Sequence, residues 1–231
     1  MRFEGKRALV TGAGRGIGQA IARKLREEGA EVTNLDLVSS DISQHNLLFD
    51  LSEPQNLPNL LAQLDFDLVV HGAAICPTRS WQDSCPETWQ KVMAINVVAP
   101  AEITRILSKG MMERKTGRVL ALASVSSFLP KPDQIEYGAS KAALVSLVRT
   151  WAAVLGPHQV CVNGLAPGLI DSPLTDEIAA QRGAAPQAER VPLGRLGTME
   201  EVADAAVWLL SDEASYINGQ IIGIDGGFLM R

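Results

Sequence analysis

The 231-residue sequence is poor in several features, and each shortage excludes a class of protein. No uninterrupted apolar stretch reaches the roughly 20 residues that a membrane-spanning helix needs, and the best candidate, Leu144 to Leu155, is broken by Arg149. Basic residues are outnumbered, 21 Lys and Arg against 26 Asp and Glu, for a formal net charge of −5. A protein that grips a phosphate backbone needs a basic face, so nucleic acid is not an expected partner. Cysteine is scarce: Cys76, Cys85 and Cys161 are odd in number, scattered and without C-x-x-C spacing. That pattern offers neither a disulfide framework nor a metal site and predicts free, mostly buried thiols. Aromatic residues make up only 5%, which counts against a cage for a flat steroid. Tracts rich in Pro, Ser and Gly, blocks of like charge, low-complexity runs and internal repeats are all missing, which predicts one compact domain over residues 1–231. Arg2, Glu4, Lys6 and Arg7 precede only a short apolar run, without the longer core and cleavage site of a signal peptide. A cytoplasmic protein with no membrane partner is the expectation.

What the sequence does have is alternation. Short apolar runs at Arg7–Thr11, Glu31–Asp36, Asn46–Asp50, Phe66–His71, Arg118–Ala123, Gln159–Leu165 and Gln220–Asp225 read as strands. Between them, helical spacing covers Gln19–Glu28, Pro54–Leu64, Pro86–Lys109, Tyr137–Leu155 and Glu200–Leu210. Strands alternating with helices imply right-handed crossovers. The predicted fold class is therefore α/β, a doubly wound Rossmann-type domain whose parallel seven-stranded sheet is covered by helices on both faces.

Ligands of such sheets bind beyond the carboxyl ends of the strands, and the chemically informative residues fall there. Thr11-Gly12-Ala13-Gly14-Arg15-Gly16-Ile17-Gly18 follows the first strand. Its glycines at 12, 16 and 18 permit a sharp turn and close approach of a ligand, and the helix that opens there offers free N–H groups to a pyrophosphate. Neither the common G-x-G-x-x-G fingerprint nor a Walker A loop is present, since Ile17 occupies the third glycine position of the former. Asp36 ends the second strand, where a carboxylate can accept hydrogen bonds from the adenosine ribose. A 2′-phosphate within ~4 Å of it would be repelled by roughly 1 to 4 kcal/mol, so NAD is expected in preference to NADP. Arg15 is a counter-signal, a cation able to meet a phosphate. Ala73, in His71-Gly72-Ala73-Ala74 after the fourth strand, lies at the same edge. Tyr137 and Lys141, four residues apart, share one face of a helix. An ammonium beside a phenol favours the phenolate, so the pair reads as a proton-transfer device with a lowered tyrosine pKa.

Taken together, Thr11 to Gly18, Asn96, Ser124 thirteen positions before Tyr137, Tyr-x-x-x-Lys, Pro167-Gly168 and Asp225-Gly226-Gly227 resemble the short-chain dehydrogenase/reductase family over essentially the whole chain. The resemblance implies that Tyr137 is the general acid or base and that Lys141 lowers its pKa and holds the nicotinamide ribose. It implies that Ser124 hydrogen-bonds the reacting oxygen, a form of oxyanion stabilisation, and that Asn96 holds a water linking Lys141 to solvent. In family terms Ile17 gives its amide to the pyrophosphate and Asp50 and Leu51 contact the adenine. Pro167, Gly168 and Ile170 line the nicotinamide, and Ser172 meets its carboxamide or the adjacent phosphate. Hydride exchange between NAD(H) and a secondary alcohol or ketone follows, oxidation being the expected cellular direction and a ring diol or dihydrodiol one candidate substrate. A homotetramer is implied, with a dimer as the alternative assembly, and no metal is called for.

Departures from the family pattern are also visible. His71-Gly72-Ala73-Ala74 stands where Asn-Asn-Ala-Gly is usual, Ala123 where a second serine is common, and Ser172 where threonine is common. His71 reads as structural, and His45 and His158 as surface or strand-edge residues. The substrate pocket is expected from 126–130, Gln134, Ile135, the 75–81 loop and a mobile lid over about 169–193. Two other functions share these motifs. A non-catalytic NAD-sensing protein would not need Ser124, Tyr137 and Lys141 together, and a sugar-nucleotide epimerase or dehydratase would show T-G-x-x-G-x-x-G and a larger C-terminal substrate region.

Overall fold

The computed structural model describes residues 1–230. Seven strands, β1 (Arg7–Thr11), β2 (Glu31–Asp36), β3 (His45–Leu48), β4 (Leu68–His71), β5 (Gly117–Leu122), β6 (Val160–Pro167) and β7 (Ile221–Ile224), form one sheet. The order is β3-β2-β1-β4-β5-β6-β7 and every pairing is parallel. The order reverses between β1 and β4, where Val10 pairs with Val70 and Thr11 with His71. That reversal opens a crevice at the carboxyl edge, the place where ligands of doubly wound sheets bind.

Helices α1 (Gly16–Glu27), α2 (Leu57–Leu61), α3 (Pro86–Met93), α4 (Ala99–Arg114), α5 (Ile135–Leu155), α6 (Pro173–Arg182) and α7 (Met199–Leu210) connect the strands. Strand residues alternate between two cores, as the period of two requires. Ala8 and Val10 pack with Ile21 and Leu25 of α1 and Val202 and Ala206 of α7. Leu9, between them in β1, faces the other way, toward Ile103 and Met111 of α4 and Leu144 and Val148 of α5. Both sheet faces are thereby covered, which explains the nearly continuous apolar strands of the sequence.

Several boundaries depart from the sequence expectation. The third strand starts at His45, one residue early, and stops at Leu48; the 54–64 helix divides into a 3₁₀ turn, Pro54–Asn56, and α2. The 86–109 segment runs on to Arg114 and contains a π turn, Ala94–Val98, between α3 and α4. The catalytic-helix candidate α5 begins two residues early, at Ile135. The expectation of mostly buried thiols is corrected: only Cys76 is buried. Cys85 precedes α3 and meets the Thr88 hydroxyl at 3.2 Å, and Cys161 lies at the start of β6, so both keep partial exposure. No helix among the described residues is long and apolar enough to cross a membrane.

Candidate active site

The cleft at the carboxyl edge is lined by Gly12, Arg15, Gly16, Ile17, Gly18, Asp36, Asp50, Leu51 and Ala73 along one limb. Ser124, Tyr137, Lys141, Pro167, Gly168, Ile170 and Ser172 line the other. Every candidate cofactor residue except Asn96 therefore faces one space. The glycine turn is shaped for close approach. A Cβ on Gly18 would sit 2.2 Å from the Gly12 carbonyl oxygen, so only glycine lets α1 start this near β1. Gly16 has φ +64°, and a Cβ there would find no neighbour nearer than Pro173 at 3.9 Å, because it would point into the cleft. No side chain caps the start of α1 and no acidic residue lies in its first turn. Its first N–H groups and dipole are thus available to an anion.

Asp36 is held at the cleft wall by the Gly14 amide, which donates at 3.0 Å, and the Leu37 amide, which donates at 2.6 Å. Donors on a ribose would complete its acceptor set. Arg15 does not point at this carboxylate: it is ion-paired with Glu177 of α6 at 2.6 Å. Asp50 is exposed, and the Ser52 amide holds its carboxyl below the usual range by donating at 2.8 Å. Ser172 caps α6, accepting from the Thr175 amide at 3.4 Å. The close tie between β1 and the loop after β4 comes from Thr11, whose hydroxyl accepts from the Gly72 and Ala73 amides at 3.1 and 3.2 Å. The loop carrying Ala73 is fixed in this way without the family's asparagine. His71 is buried, bonded through Nε2 to the Thr104 hydroxyl at 2.8 Å and set against Trp151. Burial, and then the Lys141 charge, bring it down to about 3, so it is neutral. His45 stands exposed on the edge strand beside Glu31, and His158 is exposed after α5. These dinucleotide-side residues fit a bound nicotinamide dinucleotide: an anion cradle, a ribose acceptor and an apolar floor.

Tyr137 and Lys141 share the buried face of α5, 7% and 3% exposed. The Lys141 ammonium donates to the Leu122 carbonyl at 2.6 Å and lies 5.6 Å from the Tyr137 ring centre. Here the expected lowering of the tyrosine is corrected. Burial pushes the Tyr137 phenol well up, the Cys76 thiol beside it acts in the same direction, and a hydrogen bond with Ser124 offsets only part. Burial also brings Lys141 down, from an ordinary 10.5 to about 8. Desolvation disfavours both charged forms, and it outweighs the pairing that spacing alone suggested. Cys76 itself is pushed up to about 12 by burial and is a neutral thiol.

Asn96 sits in the π turn, behind the cleft wall and outside its lining. Its side chain accepts from the Ile75 amide at 3.0 Å and donates to the Ile75 carbonyl and the Ser140 hydroxyl, both at 3.0 Å. Ser140 in turn donates to the Tyr137 carbonyl at 2.7 Å. The side chain of Asn96, the residue to which the family resemblance gives a relay water, clamps the loop at Ile75 to α5. A second positioning chain has no counterpart in the sequence expectation: the Ser84 hydroxyl donates to buried Glu136 at 2.7 Å and accepts from the Trp89 indole at 2.9 Å. It joins α3 to the first turn of α5, and no local spacing signals it. Among the described residues no group of three or more His, Cys, Asp or Glu could hold a metal.

A second cavity, of about 270 Å³, adjoins the cleft and shares Ser124, Tyr137, Gly168, Leu174 and Thr175 with it. Its other walls come from Val125, Ser126, Gln134, α6 and the segment 184–190, with Lys131 and Phe228. Of the expected pocket, Ser126, Gln134 and part of 169–193 are on this wall and Ile75 lines the dinucleotide cleft, whereas 127–130, Ile135 and 76–81 line neither.

Residues 12–229 match the sequence family described as Enoyl-(Acyl carrier protein) reductase. The chain is 33% identical over 252 residues to the 3-oxoacyl-[acyl-carrier-protein] reductase FabG of Thermotoga maritima, covering all of both chains. A protein from Agrobacterium tumefaciens, assigned as a 2-deoxy-d-gluconate 3-dehydrogenase and solved with bound NADP, superimposes with a TM-score of 0.91 at 33% identity. The match covers 99% of this chain and 98% of that one. A 3-oxoacyl-[acyl-carrier protein] reductase from Brucella melitensis with bound NAD gives a TM-score of 0.88 at 31% identity, covering 100% and 93%.

Proposed function

Because the chain belongs to the short-chain dehydrogenase/reductase family, we propose that Tyr137 is its proton-transfer residue, with Ser124 and Lys141 beside it and NAD as the preferred cofactor. The protein is an oxidoreductase that exchanges a hydride between a nicotinamide cofactor and an alcohol or ketone. The observation that carries the residue assignment is the position of Ser124 and Tyr137 on the shared wall of the two cavities. One space suits a dinucleotide and the other a small molecule, so the reacting carbon is expected between them.

Bound in the cleft, the dinucleotide supplies or accepts the hydride. The remaining work falls to the protein. Ser124 orients the substrate oxygen and stabilises charge developing there. Tyr137 gives a proton to that oxygen in reduction or takes one in oxidation. Its raised pKa keeps the phenol protonated at neutral pH, which favours the donating role. Lys141, anchored on Leu122, sets a positive charge under the phenol. Asn96 clamps the loop at Ile75 to α5 and, as the family resemblance implies, holds a water that links Lys141 to solvent.

The relatives divide over the cofactor, one with NADP and one with NAD. In this chain Asp36 supports NAD, while Arg15, in an exposed and exchangeable pair with Glu177, is the counter-signal. The intact Ser124, Tyr137 and Lys141 leave the non-catalytic sensor without support. A lid over about 169–193, a single domain and a homotetramer complete the reading, the last of which would cover Val154 and Trp208, both exposed. The test is a panel of secondary alcohols and ketones assayed with NAD and NADP, beside Tyr137→Phe, with light scattering on the same preparation. We expect NAD to be used better and the variant to lose about 10³-fold or more in kcat at unchanged fold. Better use of NADP would refute the Asp36 assignment, and an active Tyr137→Phe would refute the proton-transfer role.

A further inference from the structure

The second cavity is unevenly charged. Among the described residues Lys131, Arg182 and Arg190 line it and no carboxylate does. Arg182 is neutralised by Asp133, to which it donates at 2.9 Å. Lys131 and Arg190 form no ion pair among the described residues: both lie over the ring of Phe228, 5.2 and 5.6 Å from its centre. Among the described residues the one hydrogen bond of the Arg190 side chain goes to the Gln187 amide oxygen, at 3.3 Å. Burial lowers the Lys131 pKa, and the nearby Arg190 and Arg182 charges lower it further against a smaller opposing pull from Asp133, so the half-buried Lys131 is repelled by two guanidiniums at the exposed rim of the cavity. Cation–π contact offsets only a fraction of that repulsion. An anion placed between them would relieve it, with charge-assisted hydrogen bonds from an ammonium and a guanidinium.

Ser124 and Tyr137 form part of the wall of the same cavity, whose volume of about 270 Å³ accommodates a small molecule. A substrate whose reacting oxygen meets Tyr137 can extend the rest of its body along this cavity, whose wall carries Lys131 and Arg190. We propose that this cavity takes the carboxylate end of the substrate, so that the enzyme acts on small hydroxy acids and the corresponding keto acids. The inference rests on the hydride-transfer reading of the adjoining cleft. Phe228 is in contact with both cations, and it is positioned by the turn in which its amide donates to the Asp225 carbonyl at 3.0 Å.

Short-chain hydroxy acids and their methyl esters, assayed with both nicotinamide cofactors, test the assignment. Wild type is expected to favour the acid over its ester by ~10- to 100-fold in kcat/KM, the size of one charge-assisted interaction. The double variant Lys131→Gln, Arg190→Gln is expected to lose at least about ten times more on acids than on esters, mainly through KM. Equal use of acid and ester, equal loss on both, or a preference for phosphomonoesters or carrier-bound thioesters would overturn the assignment. A second readout separates this failure from that of the hydride-transfer reading. Glutarate should raise the melting temperature of wild type and not of the double variant. If it does so while no alcohol or ketone is turned over, the anion site stands and the catalytic reading falls. If neutral alcohols are turned over and glutarate has no effect, the catalytic reading stands and the anion site falls.

Discussion

Helices α5 and α6 face each other across the candidate substrate cavity and are built in opposite ways. In α5, nine residues are buried, four of them polar or charged side chains besides the apolar rows: Glu136, Tyr137, Ser140 and Lys141. In α6 none is buried. It is held by Arg15–Glu177, by Arg182–Asp133 and by the Thr78 amide donating to Gln181 at 2.8 Å. The helix to which we assign the proton machinery is fixed by packing, and the helix proposed to close over the ligand is held by polar contacts that can be exchanged. Reactive groups must keep their geometry to a fraction of an ångström, which packing secures. A lid must open, which requires low local stability.

Lys141→Met tests the rigid side most severely. Among the described residues the buried ammonium has a single acceptor, the Leu122 carbonyl, and methionine removes the desolvation cost of the charge, which offsets the about 1–3 kcal/mol of leaving that acceptor unpaired. Activity should fall by about 10²-fold or more, while the melting temperature stays level or rises. A large drop in melting temperature would mean that Lys141 supports the fold rather than the reaction, and the contrast between the two helices would lose its basis.

The next test is pH. Lys141 holds its proton below about 8 and loses it above. Its charge favours any negative charge on Tyr137 or the substrate oxygen, so ketone reduction should decline as pH rises through that value, approaching tenfold per unit once the neutral lysine dominates. Stability has the opposite sign. A lysine depressed from 10.5 to about 8 holds fewer protons folded than unfolded in that window, so its contribution to stability rises with pH between those limits. Activity and melting temperature should thus move apart between pH 8 and 10; a parallel decline would show that unfolding, not Lys141, limits the rate.

How these properties relate to sequence differs from element to element. The glycine turn and the strand ends are readable because a turn after a strand must be solved locally, by Gly12 to Gly18 and Asp36, within a few residues. The lysine–tyrosine pair is readable as a spacing, but its electrostatics are not. Desolvation depends on what the rest of the chain places around Tyr137, including Cys76, sixty-one positions earlier. Asn96 shows the same limit. Its position in a helix follows from periodicity, whereas the π turn that aims its side chain at Ile75 and Ser140 leaves no trace in a 3.6-residue pattern. The cations of the second cavity are hidden for a related reason: Lys131, Arg182 and Arg190 each read as ordinary surface charges until α6 and the C-terminal segment bring them to one wall.

The smallest effects belong to the lid. Exposed ion pairs contribute about 0–1 kcal/mol each and are screened by salt, so Glu177→Gln should leave the melting temperature nearly unchanged and alter KM by no more than about fivefold. Hydrogen exchange is the sharper measurement. Amides of α6 should exchange through local opening, faster than those of α5 by about 100-fold or more, and both Glu177→Gln and added salt should speed α6 without touching α5. The comparison fails if α6 proves as protected as α5, because three polar contacts would then be holding what buried side chains were needed to hold on the opposite wall. It gains a mechanism if substrate slows exchange in α6 alone, since the segment closing over the ligand would then be the one whose contacts are weak enough to be remade in every turnover.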